Sequence, residues 1–202
     1  VPRDRRDPTL TTSRGVGELI SQALDHGVQR ILIGCGDSGI NDGGAGMARA
    51  LGARLLDARG HELPEGGGAL RHLARIDLSG LDPRLTRARI DVAVNWHNQL
   101  LGPKGVARVF GPQKGATPAQ VDELERGLET YANAIRAKLG IDLGAMAGAG
   151  ASGGLGAGLV AFAGAKLHPR FDIMLDYLEF DALLTRADLV ITAEGALDGQ
   201  SR

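Results

Sequence analysis

The sequence predicts an α/β domain in which a mixed or parallel sheet is layered with helices. Short apolar runs typical of buried strands alternate along the chain with segments whose apolar residues recur at helical spacing. Such alternation is typical of layered α/β folds. In addition, 31 of the 202 residues are glycine and only 3% are aromatic, while the charged fraction is ordinary. This composition indicates tight backbone packing and ligand-binding loops rather than disorder.

The first half of the chain supplies most of the predicted strands. A helix is predicted over 15–28, where Gly27 is placed to end it as a C′ glycine. The remaining elements of this half are strands at 30–34, 54–60 and 90–96, a helix at 44–53, and a glycine-rich loop that enters a helix within 63–76.

The second half is predicted to be mainly helical. Its clearest helix spans 117–140, because Thr117 suits the N-cap, Pro118 the first helical position and Gly140 the end. The other predictions are a glycine-dense loop at 144–167 that becomes a close-packed helix from about Gly154, a helix over 171–187, and a last strand at 188–195.

Composition excludes several classes of function. The formal net charge is −1, so no basic footprint for nucleic acid and no electrostatic membrane anchor is predicted. The apolar runs are short, so neither a spanning helix nor a secretory leader is expected. A single cysteine and five scattered histidines predict neither a disulfide nor a zinc site. We therefore expect a cytoplasmic protein that acts on a small molecule; a homodimer is compatible with the sequence.

The stretch GCGDSGINDGGAGM, residues 34–47, follows a predicted strand and invites two interpretations. It contains GxGxxG, and Asp57 lies 18 residues beyond Gly39, which is typical of a dinucleotide-binding fold and would indicate an NAD-dependent oxidoreductase. However, the adjacent glycines that follow would each cost a helix about 1 kcal/mol relative to alanine. The stretch is thus better explained as a longer loop.

In that interpretation the loop presents a small polar set to a ligand. Its backbone N–H groups, with Ser38, Asn41 and Asp42, would face an anionic or polyhydroxyl molecule. The alternative is a tight structural turn in which Asp42 caps the next helix.

Three further segments have the character of ligand loops. Residues 95–117 gather amides, a histidine and two lysines framed by Gly or Pro, which could meet phosphate or be solvated surface groups. Residues 148–158 have few side chains and suit close helix packing or N–H contacts to phosphate. Residues 192–200 place two carboxylates at the end of a predicted strand, where they could bind Mg²⁺ or hydroxyls or cap a helix. The side chains concerned are Asn95, His97, Asn98, Gln99, Lys104, Gln113, Lys114, Glu194 and Asp198.

Taken together, the motifs of this chain resemble those of the glycerate kinase family. They run in the family's order across essentially all 202 residues: TTSRGVGELI, GDSGINDGGAGM, LPEGGGAL, LARIDLSGLDPRL, NQLLGPKGVARVFGPQKGAT, GAGASGGLGAGL and LVITAEGALDGQS. The resemblance implies a two-domain α/β kinase. Residues 1–202 would be a single α/β domain, the inserted domain with parts of its flanks, and the terminal segments of the other domain would be absent.

The resemblance also implies an activity and a set of site residues. The family transfers the γ-phosphoryl group of ATP to a hydroxyl of D-glycerate with Mg²⁺. By motif, Ser38, Asn41 and Asp42 would line the site and the strand end at 95–98 would face the substrate. The candidate catalytic residues are Asp42, Asn95 and His97; the candidate substrate- or phosphate-binding residues are Ser38, Asn41, Asn98, Gln113, Lys114, Glu194 and Asp198.

Two departures from the family pattern qualify this expectation. In the first loop Asp37, Gly39 and Ile40 stand where the family usually has Gly, Ala and Thr. In VNWHNQL, Asn95 stands where the family has Asp, and an amide cannot accept the hydroxyl proton. His97 could take that role at neutral pH, or could point to the opposite face. A catalytically impaired, ligand-binding relative is therefore the main alternative to an active kinase.

Overall fold

The centre of the fold is a three-stranded parallel sheet. The structure, a computed structural model, describes Pro2 and residues 5–191. Strand β4 (Arg89–Val94) lies between β1 (Arg30–Gly34) and β5 (Lys166–Pro169). In register, Ile33 of β1 pairs with Val92, and Val92 pairs with Leu167 of β5. The carboxyl ends of all three strands therefore lie at one edge of the sheet.

A separate antiparallel ribbon joins β2 (Arg54–Leu56) to β3 (Arg75–Asp77). The helices are α1 (Arg14–Asp25), α2 (Ala45–Ala50), α3 (Val106–Phe110), α4 (Pro118–Leu139), α5 (Ala151–Ala163), α6 (Arg170–Tyr177) and α7 (Phe180–Leu184), with short 3₁₀ helices at Gly67–His72, Pro83–Arg87 and Pro112–Lys114. The predicted α/β class is confirmed. Within the described residues, no helix is both long and apolar enough to cross a membrane.

Helix α4 begins and ends where its sequence predicts. Thr117 is the N-cap, and with Gln120 it forms a capping box in which each side chain bonds the other residue's backbone N–H. Gly140 ends the helix in the left-handed conformation. The amino-terminal helix α1 ends similarly, since Gly27 follows its C-cap with a φ of 73°.

Helix α5 has an irregular start that its glycines explain. Ser152, Gly153 and Gly154 have left-handed backbone angles, so the regular helix starts at Leu155, close to the prediction. A Cβ at Gly153 would lie 1.9 Å from the carbonyl oxygen of Ile40. No other residue type fits here, because the loop after β1 packs directly against this backbone.

Apolar side chains form two buried clusters. One lies around α4 and includes Leu124, Leu128 and Tyr131. The other lies around the parallel sheet and includes Val92 and Leu159. The prediction that residues 1–202 form a single domain stays a prediction.

Several elements differ from those the sequence predicts. Strand β5 was not expected, because its polar Lys166 and His168 do not read as an apolar run. The segment 63–76 forms only a 3₁₀ helix before β3, and the helix predicted over 171–187 is broken at Glu179. Of the predicted last strand, 188–191 is not a strand, and its remaining residues lie outside the described part of the chain.

Candidate active site

A cleft with a volume of about 750 Å³ lies at the carboxyl edge of the parallel sheet. The residues that follow each of the three strands contribute to its wall, and this edge is where open α/β sheets bind their ligands. The lining residues are Arg5, Arg6, Asp7, Leu10, Thr11, Cys35, Gly36, Asp37, Ser38, Gly39, Asn95, Asn98, Val106, Phe110, Gln113, Lys114, Ser152, Gly153 and Arg170.

The cleft carries more positive than negative charge. Four cationic side chains line it, against the carboxylates of Asp7 and Asp37. Arg5, Lys114 and Arg170 form no ion pair with any carboxylate of the described residues. An anionic ligand would supply the missing counter-charge.

Lys114 is the most deeply placed of these cations. Its Nζ donates a hydrogen bond of 2.7 Å to the carbonyl oxygen of Ile40. Burial lowers the pKa of Lys114 to about 8, and the negative charge of Asp42 partly opposes that effect. The ammonium therefore remains charged at neutral pH, at a desolvation cost that a bound phosphate or carboxylate would offset.

Five of the predicted site residues meet in this cleft: Ser38, Asn95, Asn98, Gln113 and Lys114. The Oγ of Ser38 is buried and has no hydrogen-bond partner among the described residues. The Oδ1 of Asn95 accepts the backbone N–H of His97 at 3.1 Å, which fixes the amide at the end of β4.

Asn41 and Asp42 lie behind the cleft rather than in its wall. Both are fully buried. The amide of Asn41 has no hydrogen-bond partner among the described residues. Asp42 accepts bonds from the Ser13 N–H (2.7 Å) and hydroxyl (2.8 Å), and from the N–H groups of Gly44 and Gly46 (both 3.1 Å). Burial raises the pKa of Asp42, although these donors oppose the shift.

The remaining predicted residues are not brought together with the cleft. His97 is exposed and does not line the cleft. Glu194 and Asp198 lie outside the described residues.

Several residues of the cleft are not predicted as site residues by the sequence. Arg170 follows β5, and that strand was itself not predicted. Arg5 and Arg6 precede any recognisable motif. Cys35 and Asp37 lie in the glycine stretch that is predicted to be a loop, so their position in it is a signal that could have identified them as site residues. Burial raises the pKa of Cys35 to about 11, with an opposing hydrogen bond from Ser152, so its thiol stays protonated at neutral pH.

The geometry does not fit the dinucleotide interpretation. Gly39 lies in a loop, and α2 begins only at Ala45. The Asp57 carboxylate accepts the N–H groups of Arg59 and His61 in its own turn, and it does not line the cleft. GxGxxG is therefore incidental here.

Comparison with known proteins agrees with this architecture. The sequence profile described as "Glycerate kinase family" matches residues 1–202. The chain is 51% identical over 201 residues to "Glycerate 2-kinase" of Escherichia coli K12 and 49% identical to "Glycerate kinase" of Halalkalibacterium halodurans. In each case all of this chain is covered but only 53% of the relative, so the chain spans about half the length of these curated relatives.

A solved structure shows the same fold. The crystal structure of a protein assigned as glycerate kinase 2 from Salmonella typhimurium LT2 superposes with a TM-score of 0.91 at 52% identity. The match covers 100% of this chain and 54% of that one. By sequence profile, identity and fold, the chain belongs to the glycerate kinase family.

Proposed function

We propose that the full-length protein transfers the γ-phosphoryl group of ATP to a hydroxyl of D-glycerate or a closely related hydroxy acid. The observation that carries this proposal is the cationic cleft at the carboxyl edge of the sheet, in which Arg5, Lys114 and Arg170 lack carboxylate partners among the described residues. Phosphoryl transfer depends on positioned cations and N–H donors around the transferred group. Family membership supports the same reaction.

Each part of the cleft has a proposed role. Lys114 holds a phosphate or the substrate carboxylate, and Gln113 next to it adds an amide. Ser38 and Asn98 offer hydrogen bonds to hydroxyl or phosphate oxygens. Asn95 can bond a hydroxyl but cannot accept its proton. Asp42 supports the loop from behind and does not reach the ligand.

Mg²⁺ is proposed to arrive with the nucleotide. The described residues contain no group of three His, Cys, Asp or Glu side chains that could hold a metal ion by themselves. This fits Mg²⁺, which is usually bound by substrate phosphates with only one or two protein carboxylates. The ion would neutralise charge on the transferred phosphoryl group.

The test is ADP release by the full-length gene product with ATP, Mg²⁺ and a panel of hydroxy acids. Lys114→Met is expected to raise KM for the anion it holds at least tenfold, because a partly desolvated cation is lost. Lys104→Met is the matched control, since Lys104 is exposed and lies outside the cleft. Wild-type affinity should fall as the pH rises above about 8, where Lys114 loses its proton, and the variant should lack this dependence.

A ligand-binding protein without turnover is the second candidate, and Asn95 is the observation that favours it. If the wild type binds ATP or glycerate in calorimetry but releases no ADP with any acceptor, the kinase proposal fails and this candidate replaces it. Restoration of turnover by Asn95→Asp would identify the lost group. A cytoplasmic location and a homodimer stay predictions.

A further inference from the structure

Asp37 combines an unusual backbone conformation with a place in the cleft. Its φ is 44°, in the left-handed region, and the residue is exposed and lines the cleft just after β1. Among the described residues, Ser152 and Glu179 are the other non-glycine residues with positive φ. Such conformations cost energy and concentrate at functional sites, and Asp is among the residues that tolerate them best.

The carboxylate of Asp37 is also without a partner, unlike the other acid of the cleft. Asp7 accepts hydrogen bonds from the N–H and hydroxyl of Thr9, at 2.9 and 2.6 Å, and from Nε2 of Gln120 at 3.1 Å. Asp37 has no hydrogen bond or ion pair with any described residue, although cations line the same cleft. Its oxygens are therefore available to a ligand.

The neighbouring acceptors are less suited to bind a hydroxyl. The Oδ1 of Asn95 already accepts the N–H of His97. The Cys35 thiol is a weak hydrogen-bond acceptor. A carboxylate accepts hydrogen bonds strongly and repels other anions. The acidic groups of a ligand would therefore turn toward the cationic side chains, and its hydroxyls toward Asp37.

We propose that Asp37 contacts the acceptor substrate and accepts a hydrogen bond from one of its hydroxyls, so that it selects polyhydroxy acids over their deoxy analogues. This inference rests on the proposed function. It adds a specificity-determining residue to the site, and it gives a reason for an aspartate at a position where the family usually has glycine and where glycine would be less strained.

The test is the variant Asp37→Asn in the full-length gene product. Asparagine tolerates the same backbone conformation but lacks the charge. We expect KM for D-glycerate to rise about tenfold while KM for ATP stays within twofold. In calorimetry, the wild type should bind glycerate more tightly than a deoxy acid that lacks one hydroxyl. The ratio of the two dissociation constants should be smaller in Asp37→Asn by a similar factor.

Two further variants separate a functional role from a structural one. Asp37→Gly relieves the left-handed strain, so its Tm should be unchanged or higher by up to about 3 °C while its KM for glycerate rises. Glu179→Gln is the matched control, because Glu179 is also a left-handed acidic residue but lies outside the cleft. Its KM should equal that of the wild type.

Other outcomes overturn the inference. An unchanged KM for glycerate in Asp37→Asn would show that the carboxylate does not contact the acceptor. A selective rise in KM for ATP would assign Asp37 to the metal-nucleotide instead. If the wild type releases no ADP with any acid, the proposed function fails, while the calorimetric preference for glycerate still decides the role of Asp37.

Discussion

Asp42 and Asp91 are both fully buried carboxylates, yet the protein stabilises them in opposite ways. Asp42, behind the cleft, is surrounded by neutral donors from Ser13 and from the turn that starts α2. Asp91, in the middle of the sheet, bonds Nε of Arg89 at 2.7 Å and Nε2 of His168 at 2.9 Å. Asp42 is thus held by neutral hydrogen-bond donors, whereas Asp91 is held by the guanidinium of Arg89 and the imidazole of His168.

The difference appears in their acidity. Burial raises the pKa of Asp42, and its neutral donors do not overcome it. Burial also opposes ionisation of Asp91, but the hydrogen bonds and charges of Arg89 and His168 outweigh it and hold the pKa below the ordinary 3.8. Burial of an acid does not by itself identify a catalytic group, since both of these buried carboxylates make hydrogen bonds that join distant parts of the chain.

Removing the first carboxylate should have the largest effect. Asp42→Ala leaves the N–H groups of Ser13, Gly44 and Gly46 buried without an acceptor, and we expect a loss of about 4 kcal/mol in the free energy of unfolding. Urea unfolding would measure it. A loss below about 1 kcal/mol would mean that other groups or water can replace the carboxylate.

The tight packing around the Asp42 carboxylate can be tested by a substitution at Gly46. A Cβ there would lie 2.1 Å from Oγ1 of Thr12 and 2.8 Å from the backbone nitrogen of Arg14. Gly46→Ala should therefore cost about 2 kcal/mol through overpacking. Gly15→Ala is the matched control: that position in α1 is open and should gain up to about 0.5 kcal/mol in helix propensity. Equal effects of the two variants would contradict the tight packing.

Removing the second carboxylate should cost less. The cationic partners of Asp91 are about half exposed, with Arg30 at 56% and Arg89 at 58% of their side-chain surface, so water can solvate them once the carboxylate is lost. We expect Asp91→Asn to lose about 1 kcal/mol in chemical unfolding. If Asp91→Asn lost as much free energy of unfolding as Asp42→Ala, the loss would not depend on whether the donors around the carboxylate are neutral and buried or cationic and exposed.

The contribution of each carboxylate to the free energy of unfolding should depend on pH with opposite sign. The lowered pKa of Asp91 gives stability above pH 3.8 that is lost as the pH falls through the folded-state pKa. The raised pKa of Asp42 does the reverse: its stability is fully present below pH 3.8 and declines as the pH rises toward the folded-state pKa. Urea unfolding at pH 7 and at pH 3.5 would measure this. As the pH falls, the difference in free energy of unfolding between wild type and Asp91→Asn should shrink, and the difference between wild type and Asp42→Asn should grow. Parallel trends would refute the comparison.

The sequence by itself determined the elements whose signals are local. The capping residues of α4, Gly27 after α1 and the apolar runs of β1 and β4 act within a few residues, so their positions were predicted correctly. The glycine stretch after β1 is a loop, as its sequence predicts, and Ser38, Asn95 and Lys114, which the motifs indicate as site residues, all line the cleft; that they bind a ligand stays a prediction.

Only the tertiary structure decided which polar residues face the cleft. Asp42 and Ser38 are four residues apart in one loop, yet one is buried behind the wall and the other lines it, because Ser13 and the start of α5 pack against the loop. Arg5 and Arg170 are 165 residues apart in the sequence and line the same cleft. Such contacts depend on packing between distant segments, which the spacing of residues in the sequence does not predict.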